Sequence, residues 1–133
     1  MPYLNIKLSA VPSAKITATI AARLTELTAS VLQKKRELIS VAVEYIPPGQ
    51  WFIGGDPLAT QNLATFYLDI KVTEGTNTKD EKAAYVAQVF ATVGTLLGGL
   101  HPTSYIVIHE VRDDAWGYQG QTQEFRYIQG KSR

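Results

Sequence analysis

A duplicated pattern of strand, helix and strand is the feature of this 133-residue chain that most limits how it can fold. The segment LNIKL at 4–8 recurs as LDIKV at 68–72, and WFIGG at 51–55 has a counterpart in WGYQG at 116–120. Two copies of this length are too few and too large for a solenoid. The repeat therefore indicates a supersecondary unit that is duplicated within one domain.

The first copy carries local signals for each of its elements. Leu4, Ile6 and Leu8 alternate with polar residues, as in a half-buried strand. Ser13 is a favoured helix N-cap residue, and apolar residues at helical spacing follow it. These predicted helix residues are Ile16, Ile20, Leu24, Leu27 and Val31. A second strand is predicted from Ile39, Val41, Val43 and Tyr45, which Pro47-Pro48-Gly49 brings to an end.

The second copy repeats this order. Its first strand contains Phe66, Leu68, Ile70 and Val72 in alternation with polar residues. Thr78 and Glu81 have the spacing of a capping box, and Gly98-Gly99 closes the helix. The predicted apolar stripe of this helix is Val86, Val89, Phe90, Val93 and Leu97. The last long strand is predicted over Tyr105 to Val111.

A strand-helix-strand unit normally makes a right-handed crossover between parallel strands. The sequence therefore predicts an α/β (α+β) fold, in which two tandem β-α-β units form a four-stranded mixed sheet with both helices on one face. We expect one domain over residues 1–133, with pseudo-repeats at about 1–60 and 64–128. The other sheet face would be amphipathic, which favours assembly with further copies of the chain.

Composition narrows the function classes. The net charge is +1, which gives no reason to expect nucleic-acid binding, and the absence of cysteine excludes disulfide and thiolate chemistry. No secretory signal and no apolar run long enough to span a membrane are visible, so a cytoplasmic location is the default expectation. The two histidines have no metal-ligand spacing with carboxylates, and we expect no metal and no cofactor.

Pro2 opens the first strand, directly after Met1. If Met1 is removed, Pro2 becomes a secondary amine held at the end of a strand. A terminal amine has an ordinary pKa of about 7.7–8.0, and burial in apolar surroundings disfavours its charged form. Pro2 would then serve as a general base without any histidine.

These features together resemble the tautomerase superfamily. The resemblance depends on Pro2 at the start of a strand, on the duplicated units, and on the segments 39–55 and 114–125. It implies the fused two-unit type, related to 4-oxalocrotonate tautomerase and macrophage migration inhibitory factor, whose members are typically trimers. It also implies an isomerase that uses the N-terminal proline as the base in keto-enol tautomerisation of a 2-oxo acid or an enol.

The migration-inhibitory-factor type gives the best residue match. The resemblance implies that Pro2 is catalytic, that Lys34 binds the substrate, and that Ile70 and a neighbouring subunit's Tyr105 line the site. If the register of the match shifts by one or two residues, Lys35 or Arg36 is the substrate-binding cation instead of Lys34. We also expect an apolar wall around the base from Trp51, Phe52 and Trp116.

The departures from the family pattern narrow the chemistry. Residues 73–78 contain no arginine, and Ala42 and Val107 stand where relatives carry polar groups. Neither threonine nor alanine replaces a guanidinium in binding a carboxylate, so dicarboxylate tautomerisation, hydrolytic dehalogenation and decarboxylation all lose support, and enol–keto tautomerisation loses least. The alternatives are a non-catalytic binding or signalling module, or a related hydratase, dehalogenase or decarboxylase.

Overall fold

A computed structural model describes residues 2–131 of the chain, and the side chains of residues 2–128. Met1 lies outside the described residues. Eight strands and three α-helices follow one another along this part of the chain. They are β1 Tyr3–Leu8, α1 Ala14–Val31, β2 Ser40–Tyr45, β3 Phe52–Ile53, β4 Asp56–Pro57, β5 Phe66–Thr73, α2 Lys79–Leu97, β6 Tyr105–Val111, β7 Gly117–Tyr118, β8 Gln121–Thr122 and α3 Gln123–Lys131.

The four long strands form one mixed sheet in the order β2-β1-β5-β6. β1 runs parallel to β2, β5 runs parallel to β6, and the two pairs meet antiparallel through β1 and β5. Each repeat thus supplies one parallel pair with its crossover helix. The predicted four-stranded mixed sheet of two β-α-β units is confirmed.

Both helices cover the same face of this sheet. The alternate strand residues are buried there with the inner residues of α1 and α2 in one core cluster, as the period of two in each strand requires. The buried members are Leu4, Ile6, Leu8, Ile20, Leu24, Leu32, Phe66, Leu68, Ile70, Val72, Tyr85, Val89 and Val93.

Local capping fixes where the helices begin and end. The hydroxyl of Ser13 accepts a hydrogen bond from the Ile16 amide at 3.2 Å, as predicted for the start of α1. Thr78 and Glu81 form the predicted capping box at the start of α2. Gly98 ends α2 with a φ of 77°, a conformation that glycine adopts without steric cost.

The predicted apolar stripe of α2 is wrong at two positions. Val86 and Phe90 remain 37% and 38% exposed, whereas Tyr85, Val89 and Val93 are fully buried. The Tyr85 hydroxyl lies 2.8 Å from the Thr28 hydroxyl of α1, and this polar contact lets a tyrosine enter the core. Tyr85 therefore takes the inner position that hydrophobicity alone assigned to its neighbour.

The buried Tyr85 predicts a fall in stability at alkaline pH. Burial raises the pKa of Tyr85 to about 12, partly offset by its hydrogen bond with Thr28. Because the folded-state pKa lies above the ordinary ~10, the contribution is present below pH ~10. It is lost as the pH rises towards the folded value, by about 1.4 kcal/mol per pH unit. Urea unfolding between pH 9 and 12 measures this fall.

Tyr85→Phe is expected to show a smaller alkaline fall and to be about 1 kcal/mol less stable at neutral pH. Tyr127→Phe is a suitable control, because Tyr127 is 61% exposed on α3. Identical pH profiles for Tyr85→Phe and the unmodified protein would contradict the burial of an un-ionised phenol between the helices.

The second face of the sheet is covered by neither α1 nor α2 and is rich in polar groups. Asp69 on β5 lies 3.3 Å from the Lys71 amine and 3.3 Å from Nε2 of His109 on β6. Lys7 and Tyr67 lie in the same layer of alternate residues, paired across β1 and β5. This face is amphipathic, as predicted. None of the described helices is both long and apolar enough to cross a membrane.

Candidate active site

A cavity of about 390 Å³ lies beside the first residue of the described chain. Pro2 is buried at the beginning of β1, and its carbonyl accepts a hydrogen bond from the Ser40 amide at 3.2 Å. The rest of the lining comes from the segment before β2 and from the β7–β8 hairpin. The lining residues are Pro2, Tyr3, Glu37, Leu38, Ile39, Ser40, Trp116, Gly117 and Tyr118. We call it the Pro2 cavity.

The β7–β8 hairpin supplies the aromatic side of the Pro2 cavity. The Trp116 indole donates a hydrogen bond to the Thr73 hydroxyl at 3.2 Å, which holds the hairpin against the end of β5. A side chain at position 117 would clash with the Gln121 backbone carbonyl, so this close approach requires glycine. The structure therefore brings one predicted wall residue, Trp116, to the cavity that Pro2 lines.

The predicted cationic residues do not line the Pro2 cavity within this chain. Lys34 lies in an adjacent cavity and donates a hydrogen bond to the Thr76 hydroxyl at 2.8 Å. Partial burial lowers the pKa of the Lys34 amine, and the charge of Glu81 opposes that shift. Arg36 lines a separate groove on the side of α1.

A groove beside the C-terminal helix holds the other predicted cation. Lys35 and Lys34 line it together with residues of α3, and it shares Leu38 with the Pro2 cavity. We call it the tail groove. Its lining residues are Gln33, Lys34, Lys35, Leu38, Gln123, Arg126 and Tyr127. The cationic segment 34–36 is therefore divided among three surfaces.

Ile70, Tyr105 and Trp51 are not among the residues that line the Pro2 cavity. Ile70 is fully buried in the core of this chain, opposite Leu4 of β1. Tyr105 is 60% exposed at the end of β6 that pairs, through Tyr67, with the far end of β1. Trp51 follows the end of β2 and precedes the β3–β4 hairpin. Within one chain, the predicted wall therefore contains Trp116 without Trp51.

Two residues at or near the cavity were not predicted from the sequence, one aromatic and one cationic. Tyr118 lines it from β7, although the segment WGYQG had marked this hairpin as a repeat. The guanidinium carbon of Arg126 on α3 lies 4.4 Å from the centre of the Tyr118 ring. This pair was not predictable from the local pattern, because the helix that carries Arg126 was not predicted.

The described residues hold no group of three or more His, Asp or Glu side chains that could bind a metal ion. The pair of Asp69 with His109 lies on the uncovered sheet face. The Pro2 cavity instead presents Pro2, three aromatic side chains, and Glu37 as the single charged side chain among its lining residues.

The sequence was also compared with known families and structures. The sequence model of the tautomerase family, described as tautomerase enzyme, matches residues 2–61 and again residues 67–126. The chain belongs to the tautomerase family. The two matches coincide with the two repeats and together span nearly the whole chain. No curated protein matches the sequence.

Solved structures of tautomerase relatives share the fold. A native fused 4-OT is 22% identical, with 92% of this chain and 97% of that chain covered and a TM-score of 0.79. A fused 4-OT asymmetric trimer, F6, is 18% identical, with 93% and 98% covered and a TM-score of 0.82. A macrophage migration inhibitory factor-like protein from Entamoeba histolytica is 21% identical, with 91% and 97% covered and a TM-score of 0.75.

Proposed function

We propose that this protein is a keto-enol tautomerase in which the free Pro2 nitrogen is the general base for a 2-oxo acid or enol substrate. The family supports tautomerase activity in general. The observation that carries the finer proposal is the burial of Pro2 at the beginning of β1, beside a cavity that Trp116 and Tyr118 also line. Removal of Met1 is part of the proposal, since an amide nitrogen has no useful basicity.

The proton moves twice in the proposed reaction. The Pro2 nitrogen takes the proton from the enol hydroxyl, and the O–H bonding electrons form the carbonyl. The electrons of the enol C=C bond then become available at the carbon next to the carbonyl, the α-carbon. The protonated nitrogen then delivers the same proton to that carbon, so the amine is regenerated. The indole of Trp116 and the ring of Tyr118 limit water around the nitrogen, which favours its uncharged form.

We further propose that the protein works as a homotrimer in which neighbouring subunits complete the site. The F6 fused 4-OT neighbour is a trimer, and the polar sheet face of this chain is uncovered. Tyr105 and Trp51 are exposed or half-buried at the opposite end of the sheet from Pro2, where a neighbour's Pro2 cavity could receive them. Lys34 is proposed as a substrate-binding cation in the same assembly.

Sedimentation equilibrium should give three times the chain mass of 14.6 kDa, and a monomer would contradict this assembly.

The enolisation of phenylpyruvate tests the proposed activity. We expect protein that begins at Pro2 to speed the exchange between enol and keto forms well above the rate in buffer, as followed by the enol absorbance. The same protein pre-treated with a reagent that acylates amines at neutral pH should lose this activity. Processed, folded protein that exchanges the two forms no faster than buffer would contradict the proposal.

One observation favours a second candidate, a binding or signalling module without catalysis. Glu37 is the single charged side chain among the described residues that line the Pro2 cavity, and it is a carboxylate. A carboxylate repels an anionic substrate rather than binding it. Absence of turnover together with a tight protein partner would favour this candidate.

A further inference from the structure

A 2-oxo acid brings a negative charge to the Pro2 cavity, and the cavity itself supplies no cation from its described lining residues. Binding of a carboxylate by a protein normally uses a lysine or, with a matched pair of hydrogen bonds, an arginine. The proposed reaction therefore needs a cation from just outside the cavity. The predicted candidates, Lys34, Lys35 and Arg36, all line other surfaces.

Arg126 contacts an aromatic residue that lines the Pro2 cavity. Its guanidinium carbon is 4.4 Å from the centre of the Tyr118 ring, and Tyr118 lines the cavity. Arg126 also lines the tail groove, which shares Leu38 with the Pro2 cavity. The Tyr118 ring holds the guanidinium by a cation-π interaction, and the guanidinium is attached to α3 by a long, flexible aliphatic chain.

The charge of Arg126 is also available. No ion pair among the described residues involves Arg126, whereas Arg112 is held by Asp114 at 3.2 Å. Lys34 donates a hydrogen bond to the Thr76 hydroxyl, and it lines the neighbouring cavities without lining the Pro2 cavity. Stacking uses the face of a guanidinium and leaves its edge N–H donors for a carboxylate. Arg126 is thus a half-buried cation in contact with a lining residue of the cavity, and it has no ion-pair partner among the described residues 2–128.

We propose that Arg126 binds the carboxylate of the substrate at the Pro2 cavity and makes the site selective for 2-oxo acids over their uncharged esters. Tyr118 orients the guanidinium, and the N–H edge of Arg126 reaches past the ring to the substrate. The C-terminal helix α3 then forms part of the site. This assignment rests on the proposed tautomerase function and adds the residue that selects its anionic substrate.

The test compares phenylpyruvate with its methyl ester in the full-length protein that begins at Pro2. Arg126→Gln is expected to lower kcat/KM for the acid by about tenfold to a hundredfold, the range for a lost charged hydrogen bond. The loss should lie mainly in KM, and the ester should be unaffected. Arg126→Lys should recover part of the loss, since it keeps the charge without the fork. Arg23→Gln is the matched control, because Arg23 is an exposed arginine of α1 that lines other grooves.

An acid-to-ester ratio that Arg126→Gln changes no more than Arg23→Gln would overturn the assignment. A thermal melt of each variant shows whether it folds, and Arg126→Lys decides the question if the glutamine variant does not. Calorimetric binding of phenylacetate, a carboxylate that cannot tautomerise, separates the two hypotheses. If phenylpyruvate is not turned over, the tautomerase proposal fails. Phenylacetate binding weakened at least tenfold by Arg126→Gln would still support the cation assignment, and equal binding would overturn it.

Discussion

Replacing Pro2 by alanine is expected to lower kcat/KM for phenylpyruvate at least a hundredfold, the lower end of what a positioned general base contributes. The pyrrolidine ring fixes the nitrogen against the cavity, and its loss leaves a mobile primary amine. The measurement is steady-state turnover by protein whose intact mass shows that Met1 is absent. The substitution leaves the fold in place, because Pro2 joins the sheet through its backbone carbonyl and the Ser40 amide.

Pro12→Ala is the matched control for this substitution. Pro12 is an exposed proline in the connection between β1 and α1, so its replacement tests the general effect of losing a proline near the N-terminus. Its activity should stay within twofold of the unmodified protein. If Pro2→Ala retains more than half of the original kcat/KM, Pro2 is not the base.

Ile70→Ala is expected to lower the free energy of unfolding by about 2–5 kcal/mol, the usual cost of removing a large aliphatic side chain from a packed core. Ile70 is fully buried on β5, between Leu4 of β1 and Ile108 of β6. Ile70 does not line the Pro2 cavity, so we expect KM of the folded variant to stay unchanged. Urea unfolding and steady-state kinetics on the same preparation give both quantities.

Lys71→Ala provides the comparison, since Lys71 is the next residue on β5 and points to the uncovered sheet face. Its ion pair with Asp69 is partly exposed, and such pairs contribute about 0–1 kcal/mol. An unchanged unfolding free energy together with a raised KM in Ile70→Ala would show that Ile70 contacts the substrate after all.

Local sequence signals predicted most of the fold correctly. A strand with one buried face is recognised by the alternation of apolar and polar residues. The observed β6 matches its predicted span from Tyr105 to Val111. The helix starts at Ser13 and Thr78 were predictable because a cap hydroxyl bonds to an amide only three residues away. The duplication added the order of the units, and with it the mixed sheet.

Features that depend on distant contacts were not predictable in the same way. The position of Tyr85 depends on the Thr28 hydroxyl, which is 57 residues away in sequence. Helix α3 was not predicted. Three of its apolar residues stay well exposed, so this helix does not follow the rule that apolar residues mark a buried face. They are Phe125, Tyr127 and Ile128.

The candidate site was predicted in part for the same reason. Pro2 and Trp116 were predicted as neighbours, and the structure places both on one cavity. Arg126 is connected to that cavity by its contact with Tyr118, which depends on α3 following directly after β8. The role of Lys34 was inferred from a resemblance to a site built from several subunits, and it stays a prediction.

The most direct test measures kcat/KM for two separated forms of the same protein, one that begins at Pro2 and one that keeps Met1. With Met1 attached, the Pro2 nitrogen is an amide and has no lone pair available for a proton. We predict that all measurable tautomerase activity belongs to the form that begins at Pro2. Equal kcat/KM in the form that keeps Met1 would contradict the assignment of this nitrogen as the base.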